Sequence, residues 1–142
     1  MANPTTNYGW QMPTPTDLVT DLPADFDIFG QAVDNSLLAA QNLAFNAQVG
    51  TTYTLVSGDK YKLVTTSNGA AITVTIPTGV FTAGQSINVQ SIGVGLTTIS
   101  GAAVTITSTG ASAIAPILRA RYSAATIICT AAGVFTVIGD IA

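Results

Sequence analysis

Ile72-Thr73-Val74-Thr75-Ile76-Pro77 alternates apolar and hydroxyl side chains without a break. A period of two places Ile72, Val74 and Ile76 on one side of a strand and the two threonines on the other. Pro77 falls where the strand ends, so its missing amide costs no ladder bond. The same alternation returns in Ile87-Asn88-Val89-Gln90 and in Val104-Thr105-Ile106-Thr107. β-branched residues dominate throughout, and Ser67-Asn68-Gly69, Gly93-Val94-Gly95 and Ser100-Gly101 punctuate them with turn chemistry. Nine short strands follow: 51–56, 60–66, 71–76, 86–91, 96–99, 103–108, 117–123, 125–130 and 134–138. Many short strands at near-regular spacing predict a mainly β fold, an antiparallel β-sandwich or jelly-roll-like domain over residues 47–142.

Upstream the period changes. Phe26, Phe29, Val33, Leu37, Ala40 and Ala44 recur at intervals of three and four, one face of an α-helix over 23–46. Asp21 can cap its start, Pro23 suits a first turn, and Asp25 and Asp27 sit where the helix dipole favours negative charge. Gly30 weakens the helix by about 1 kcal/mol. Such a stripe must be buried against something. Phe26, Phe29, Val33 and Leu37 are therefore expected to form a packing or oligomer face. Residues 1–22 carry Pro4, Pro13 and Pro15 among polar residues and read as an extended arm. Ordering an isolated terminus costs roughly 1–2 kcal/mol of backbone entropy per residue, so a partner surface is expected to hold it. Tyr8, Trp10, Met12 and Pro13 are the expected anchors.

Charge divides the chain along the same line. Residues 1–50 hold five aspartates and no Lys or Arg, whereas 51–142 hold Lys60, Lys62, Arg119 and Arg121 against Asp59 and Asp140. The 56 positions between Lys62 and Arg119 carry no charge at all. Charged residues make up only 8% of the chain, against roughly 25% in ordinary domains, which predicts surfaces that partners cover. Arg119 and Arg121 share a face of the strand predicted at 117–123, where they are candidates for inter-subunit charge contacts.

The residue inventory narrows the chemistry. Histidine and glutamate are absent. That removes Ser–His–Asp and Cys–His catalysis and most zinc sites, and leaves Asp59 and Asp140 as the only carboxylates of the β-domain. No catalytic residue, metal ligand or cofactor site is expected, and the protein is read as non-enzymatic. A net charge of −3 with no basic patch argues against nucleic acid. No apolar run is long enough to span a bilayer, and the opening residues lack the basic and apolar regions of a signal peptide. Cys129, in an apolar run, reads as a small buried hydrophobe. Tyr53, Tyr61, Tyr122, Phe81 and Phe135 read as core or strand positions, leaving few exposed aromatics for sugars.

Several stretches resemble phage proteins. Asn3-Pro4-Thr5-Thr6-Asn7-Tyr8-Gly9-Trp10-Gln11-Met12-Pro13, Asp17 to Phe26 and Phe29 to Asp34 resemble the N-termini of minor tail and fibre-like virion proteins of tailed phages infecting actinobacteria. Tyr53 to Val56, Ile72 to Pro77, Leu118 to Thr126 and Val137 to Asp140 resemble a β-domain of phage fibre, collar and head-decoration proteins. The resemblance implies a homotrimeric protein of the virion surface, attached to the particle's major capsid or tail proteins by its N-terminal part. The short helix favours head decoration or a capsid fibre. The alternative is a minor tail protein or short tail fibre whose β-domain binds a host surface glycan.

Overall fold

The computed structural model describes Gly9, Trp10 and residues 22–109 and 114–142. The chain divides into two compact units, 1–42 and 43–142. The described residues of the first contain one helix, α1 (Leu22–Gln41). The 20 residues give it a length of about 30 Å. Phe45 and Asn46, assigned to the helix by its periodicity, lie instead in a strand. Asp21, the expected cap, falls outside the described residues, as do Tyr8, Met12 and Pro13.

The second unit is mainly β, and its described residues hold nine strands: β1 (Phe45–Gln48), β2 (Thr52–Thr54), β3 (Leu63–Thr66), β4 (Ile72–Ile76), β5 (Ser86–Ser91), β6 (Thr97–Gly101), β7 (Thr105–Ser108), β8 (Ala124–Ala131) and β9 (Val134–Gly139). They form a six-stranded sheet, in the order β1-β3-β5-β8-β9-β7, and a three-stranded sheet, β2-β4-β6. The pairing departs from the antiparallel sandwich expected from the pattern. β1, β3 and β5 run parallel, and so do β2, β4 and β6. The chain therefore winds as three coils in the manner of a short β-solenoid, each coil giving one strand to each sheet. Only β8 breaks the parallel order. It runs antiparallel to both β5 and β9, and β7 lies beyond β9, parallel to it.

The physical reason is that alternation fixes which side chains face inward but says nothing about the neighbouring strand's direction. Ser67-Asn68-Gly69 and Gly93-Val94-Gly95, read from the sequence as turns between strands, are corners between the two sheets. These corners stack closely. Asn68 Nδ2 donates to the Val49 carbonyl at 2.7 Å, its Oδ1 accepts from Ala70 N at 2.8 Å, and Gly95 N donates to Asn68 O at 2.9 Å. A Cβ on Gly93 would run into the Asn68 backbone and one on Gly95 into the Ala70 carbonyl. Glycine is required at both by proximity.

The core lies between the sheets. Val64, Ile87, Val89, Ile127, Cys129, Phe135 and Val137 from the larger sheet meet Val74, Ile76 and Ile99 from the smaller, all buried. Phe81 and Phe135 pack edge to face with centroids 6.3 Å apart. Thr66 and Thr97, both fully buried, satisfy one another through an Oγ1–Oγ1 hydrogen bond of 2.6 Å. Residues 117–123, expected to be a strand, make only isolated bridges at Ile117 and Leu118. The chain then turns, with Tyr122 at a φ of 72°.

Candidate functional site

α1 is the first candidate, because its apolar side chains are left outside. Phe26 and Leu37 are 58% and 56% exposed, and Phe29 and Val33 are half-buried. Ile28 and Leu38, also exposed, lie off that stripe, so the helix is apolar on more than one side. Trp10 lies on α1 within the same unit. Its ring meets Phe29 edge to face at 5.8 Å, and its Nε1–H donates to Ser36 Oγ at 3.0 Å. Ser36 passes its own hydroxyl hydrogen back to Ala32 O at 2.8 Å. Of the four expected anchors, Trp10 alone is described, and its indole is placed by its own helix.

Arg119 and Arg121 both sit in the turn before β8, on no shared strand face. Arg119 pairs with the Asp140 carboxylate of the same chain. Ser123 Oγ donates to Asp140 Oδ2 at 2.5 Å and accepts from Ala120 N at 3.0 Å. The Ser123 hydroxyl, with the Arg119 guanidinium beside it, holds the Asp140 carboxyl below its ordinary value. Arg121 Nε donates to Ile92 O at 2.9 Å, and its guanidinium lies 4.7 Å from the Tyr122 ring centroid.

The other carboxylate of the β unit has a different setting. Asp59 is buried, closing a 3-10 turn (Ser57–Asp59). Its Oδ1 accepts from Asn46 Nδ2 at 2.7 Å, and its Oδ2 accepts from Tyr53 OH and Val56 N at 2.8 Å each. Gln48 Nε2 extends the chain of bonds to Asn46 Oδ1 at 2.7 Å. Burial and the bond to Asp59 push the Tyr53 hydroxyl above its usual value. The network ties β1 and β2 to the turn after them. Sequence reasoning missed it because Phe45 and Asn46, the first half of β1, were assigned to the helix. Asp59 and Asp140 thus stand in separate networks, each carboxylate held by its own partners.

Two aromatics depart from expectation. Phe81 and Phe135 are buried, but Tyr61 and Tyr122 are 58% and 61% exposed, both with left-handed backbone. Each N–H bonds an end of β5, Tyr61 to Ser86 O at 2.7 Å and Tyr122 to Ser91 O at 2.6 Å. A cleft of about 570 Å³ opens between the loops at Thr78–Phe81, Ala103–Thr105 and Ala132–Val134, with no ionisable side chain in its lining. Cys129 is buried, and burial raises its thiol pKa. No group of three potential metal ligands occurs among the described residues, and no described helix is long and apolar enough to cross a membrane. Comparison with protein-family models, with curated proteins and with solved structures found no match.

Proposed function

We propose that the chain is a non-enzymatic structural protein of a tailed-phage virion: a homotrimeric surface appendage that associates through α1 and presents its β unit outward. The exposure of Phe26, Ile28, Leu37 and Leu38 carries this reading. Exposed apolar side chains on several sides of one helix are what a bundle of copies buries. The resemblance of the opening residues to phage tail and fibre-like proteins supplies the setting. The β unit suits a presented domain, since its core closes without help from outside. A helix of about 30 Å holds that domain near its attachment point, which favours head decoration or a capsid fibre over a reaching tail fibre. In this reading Tyr8, Trp10, Met12 and Pro13 belong to the attachment to capsid or tail proteins, and Trp10 also braces α1. Removing residues 1–22 is expected to abolish incorporation into particles while leaving the β unit folded. Particles that still take up the shortened chain would overturn the reading.

A second reading is favoured by Tyr61 and Tyr122. Exposed aromatic rings held by tight backbone turns are suitable platforms for sugar faces, and Arg121 beside Tyr122 adds a hydrogen-bond donor. A minor tail protein or short tail fibre binding a host surface glycan would use them. Glycan binding by the full chain that disappears in Tyr61→Ala/Tyr122→Ala would favour this reading.

A further inference from the structure

The outer face of the three-stranded sheet carries one kind of side chain. β2, β4 and β6 each bring the pattern hydroxyl–apolar–hydroxyl: Thr52-Tyr53-Thr54, Thr73-Val74-Thr75 and Thr98-Ile99-Ser100. The register aligns them without a bulge. Thr52 pairs with Thr73 and Thr73 with Thr98, while Thr54 pairs with Thr75 and Thr75 with Ser100. The result is two parallel columns of three hydroxyls. Val74 and Ile99 between them are fully buried, so the six side chains point the other way.

Three observations set this face apart. First, the outward rows of the six-stranded sheet are mixed: Phe45, Leu63, Asn88, Thr126 and Ile138 share one row, and Ala47, Thr65, Gln90 and Ala124 another. β-propensity alone therefore does not impose threonine on outward positions of this protein. Second, other hydroxyls are engaged internally, as in Thr66 with Thr97, Thr107 with Thr136 and Thr126 with Asn88. Among the described residues no side-chain hydrogen bond takes up any of the six, so all are available to an outside lattice. Third, the face bears no charge, and β4 and β6 lie within the charge-free span of the chain.

The spacing identifies the occupant. Neighbouring strands stand about 4.8 Å apart, and alternate residues along a strand about 6.6 Å apart. The first repeat lies close to the oxygen repeat along the a axis on the prism faces of hexagonal ice, and the second is somewhat shorter than the repeat along c. Threonine is stiff at χ1, so five of the six positions offer a fixed hydroxyl beside a fixed methyl group, and Ser100 adds a hydroxyl alone; such an array orders the first layer of water. We propose that this face is an ice-binding surface, with Thr52, Thr54, Thr73, Thr75, Thr98 and Ser100 as the contact array. The inference does not depend on the virion reading.

Partition of the full chain into slowly grown polycrystalline ice tests it. The wild-type protein should be enriched severalfold in the ice fraction over a non-binding control protein and should slow ice recrystallisation. Thr73→Tyr keeps a good strand former but breaks the array, and should fall to the control level. Thr65→Tyr, on the outer face of the other sheet, should partition as wild type. Thermal melts establish that each variant is folded; if Thr73→Tyr is not, Thr98→Tyr takes its place. Exclusion of the wild type from ice overturns the proposal, and so does equal enrichment of the wild type and the array variant. Retention on an insoluble neutral polysaccharide that is lost in the array variant, without ice enrichment, assigns the face to a glycan and also overturns it.

Discussion

The two units solve the same problem in opposite ways. In the β unit Val64, Val74, Ile76, Ile87, Val89, Ile99, Ile127 and Val137 are all fully buried between its own sheets. In the helical unit Phe26, Ile28, Leu37 and Leu38 are all more than half exposed. Fully burying one such side chain contributes about 1.5–3 kcal/mol, so the core of the β unit stabilises it from within, whereas the exposed side chains of α1 contribute nothing of the kind until something covers them. Stability and association are therefore expected to separate along the chain. Mutations in one unit should leave the property of the other intact.

The largest expected effect lies in the core. Ile127→Ala should destabilise the β unit by about 2–5 kcal/mol in chemical denaturation, because it opens a cavity between sheets that cannot close. Leu37→Ala should leave that transition unmoved. Next comes the corner. Gly95→Ala forces a methyl group into the Ala70 carbonyl and should cost about 1–3 kcal/mol, separating the stacked corners of coils two and three. A comparable or smaller loss, about 1–3 kcal/mol, is expected for Asp59→Ala, which leaves the Asn46 amide, the Tyr53 hydroxyl and the Val56 amide without their acceptor.

The smallest effect is on pH dependence. The folded Asp140 carboxyl titrates below its unfolded value, chiefly through Ser123. Its contribution is therefore present above the unfolded value and is lost as pH falls through the folded one. Ser123→Ala should move the Asp140 titration, followed by NMR, upward toward the ordinary carboxyl range and weaken the acid dependence of the β transition. An unchanged titration would mean that Arg119 alone sets it.

Much of the fold was legible, and its limits have physical causes. Ile72 to Ile76 announced a strand with its faces correctly assigned, and the helix period of Phe26, Phe29, Val33 and Leu37 was equally plain. Strand direction was not legible, because parallel coils and antiparallel hairpins demand the same alternation. The coils also differ in length: Phe45 pairs with Leu63, 18 residues on, but Leu63 pairs with Asn88, 25 on, which blurs any repeat. β1 was hidden because Phe-Asn-Ala-Gln has little strand character and Ala44 continues the helix spacing. Residues 117–123 misled through their apolar content, when Leu118 is a single buried bridge beside a turn. Of the site residues, the helical spacing of Phe26, Phe29, Val33 and Leu37 was legible, but Ile28 and Leu38, exposed off that stripe, were not. Nor was the Asp59 network, since its members come from two strands and a turn. The threonine columns left a signal in the triplets at 52–54, 73–75 and 98–100, but only the register reveals that they align.

Sedimentation equilibrium on the full chain, beside a Phe26→Asp/Leu37→Asp variant, tests most directly the claim that α1 carries association and the β unit stands alone. The account predicts a wild-type mass three times 14.4 kDa, and a variant that is monomeric with an unchanged β transition. A wild-type chain that stays monomeric at all concentrations, or a variant that keeps the wild-type mass, would contradict it.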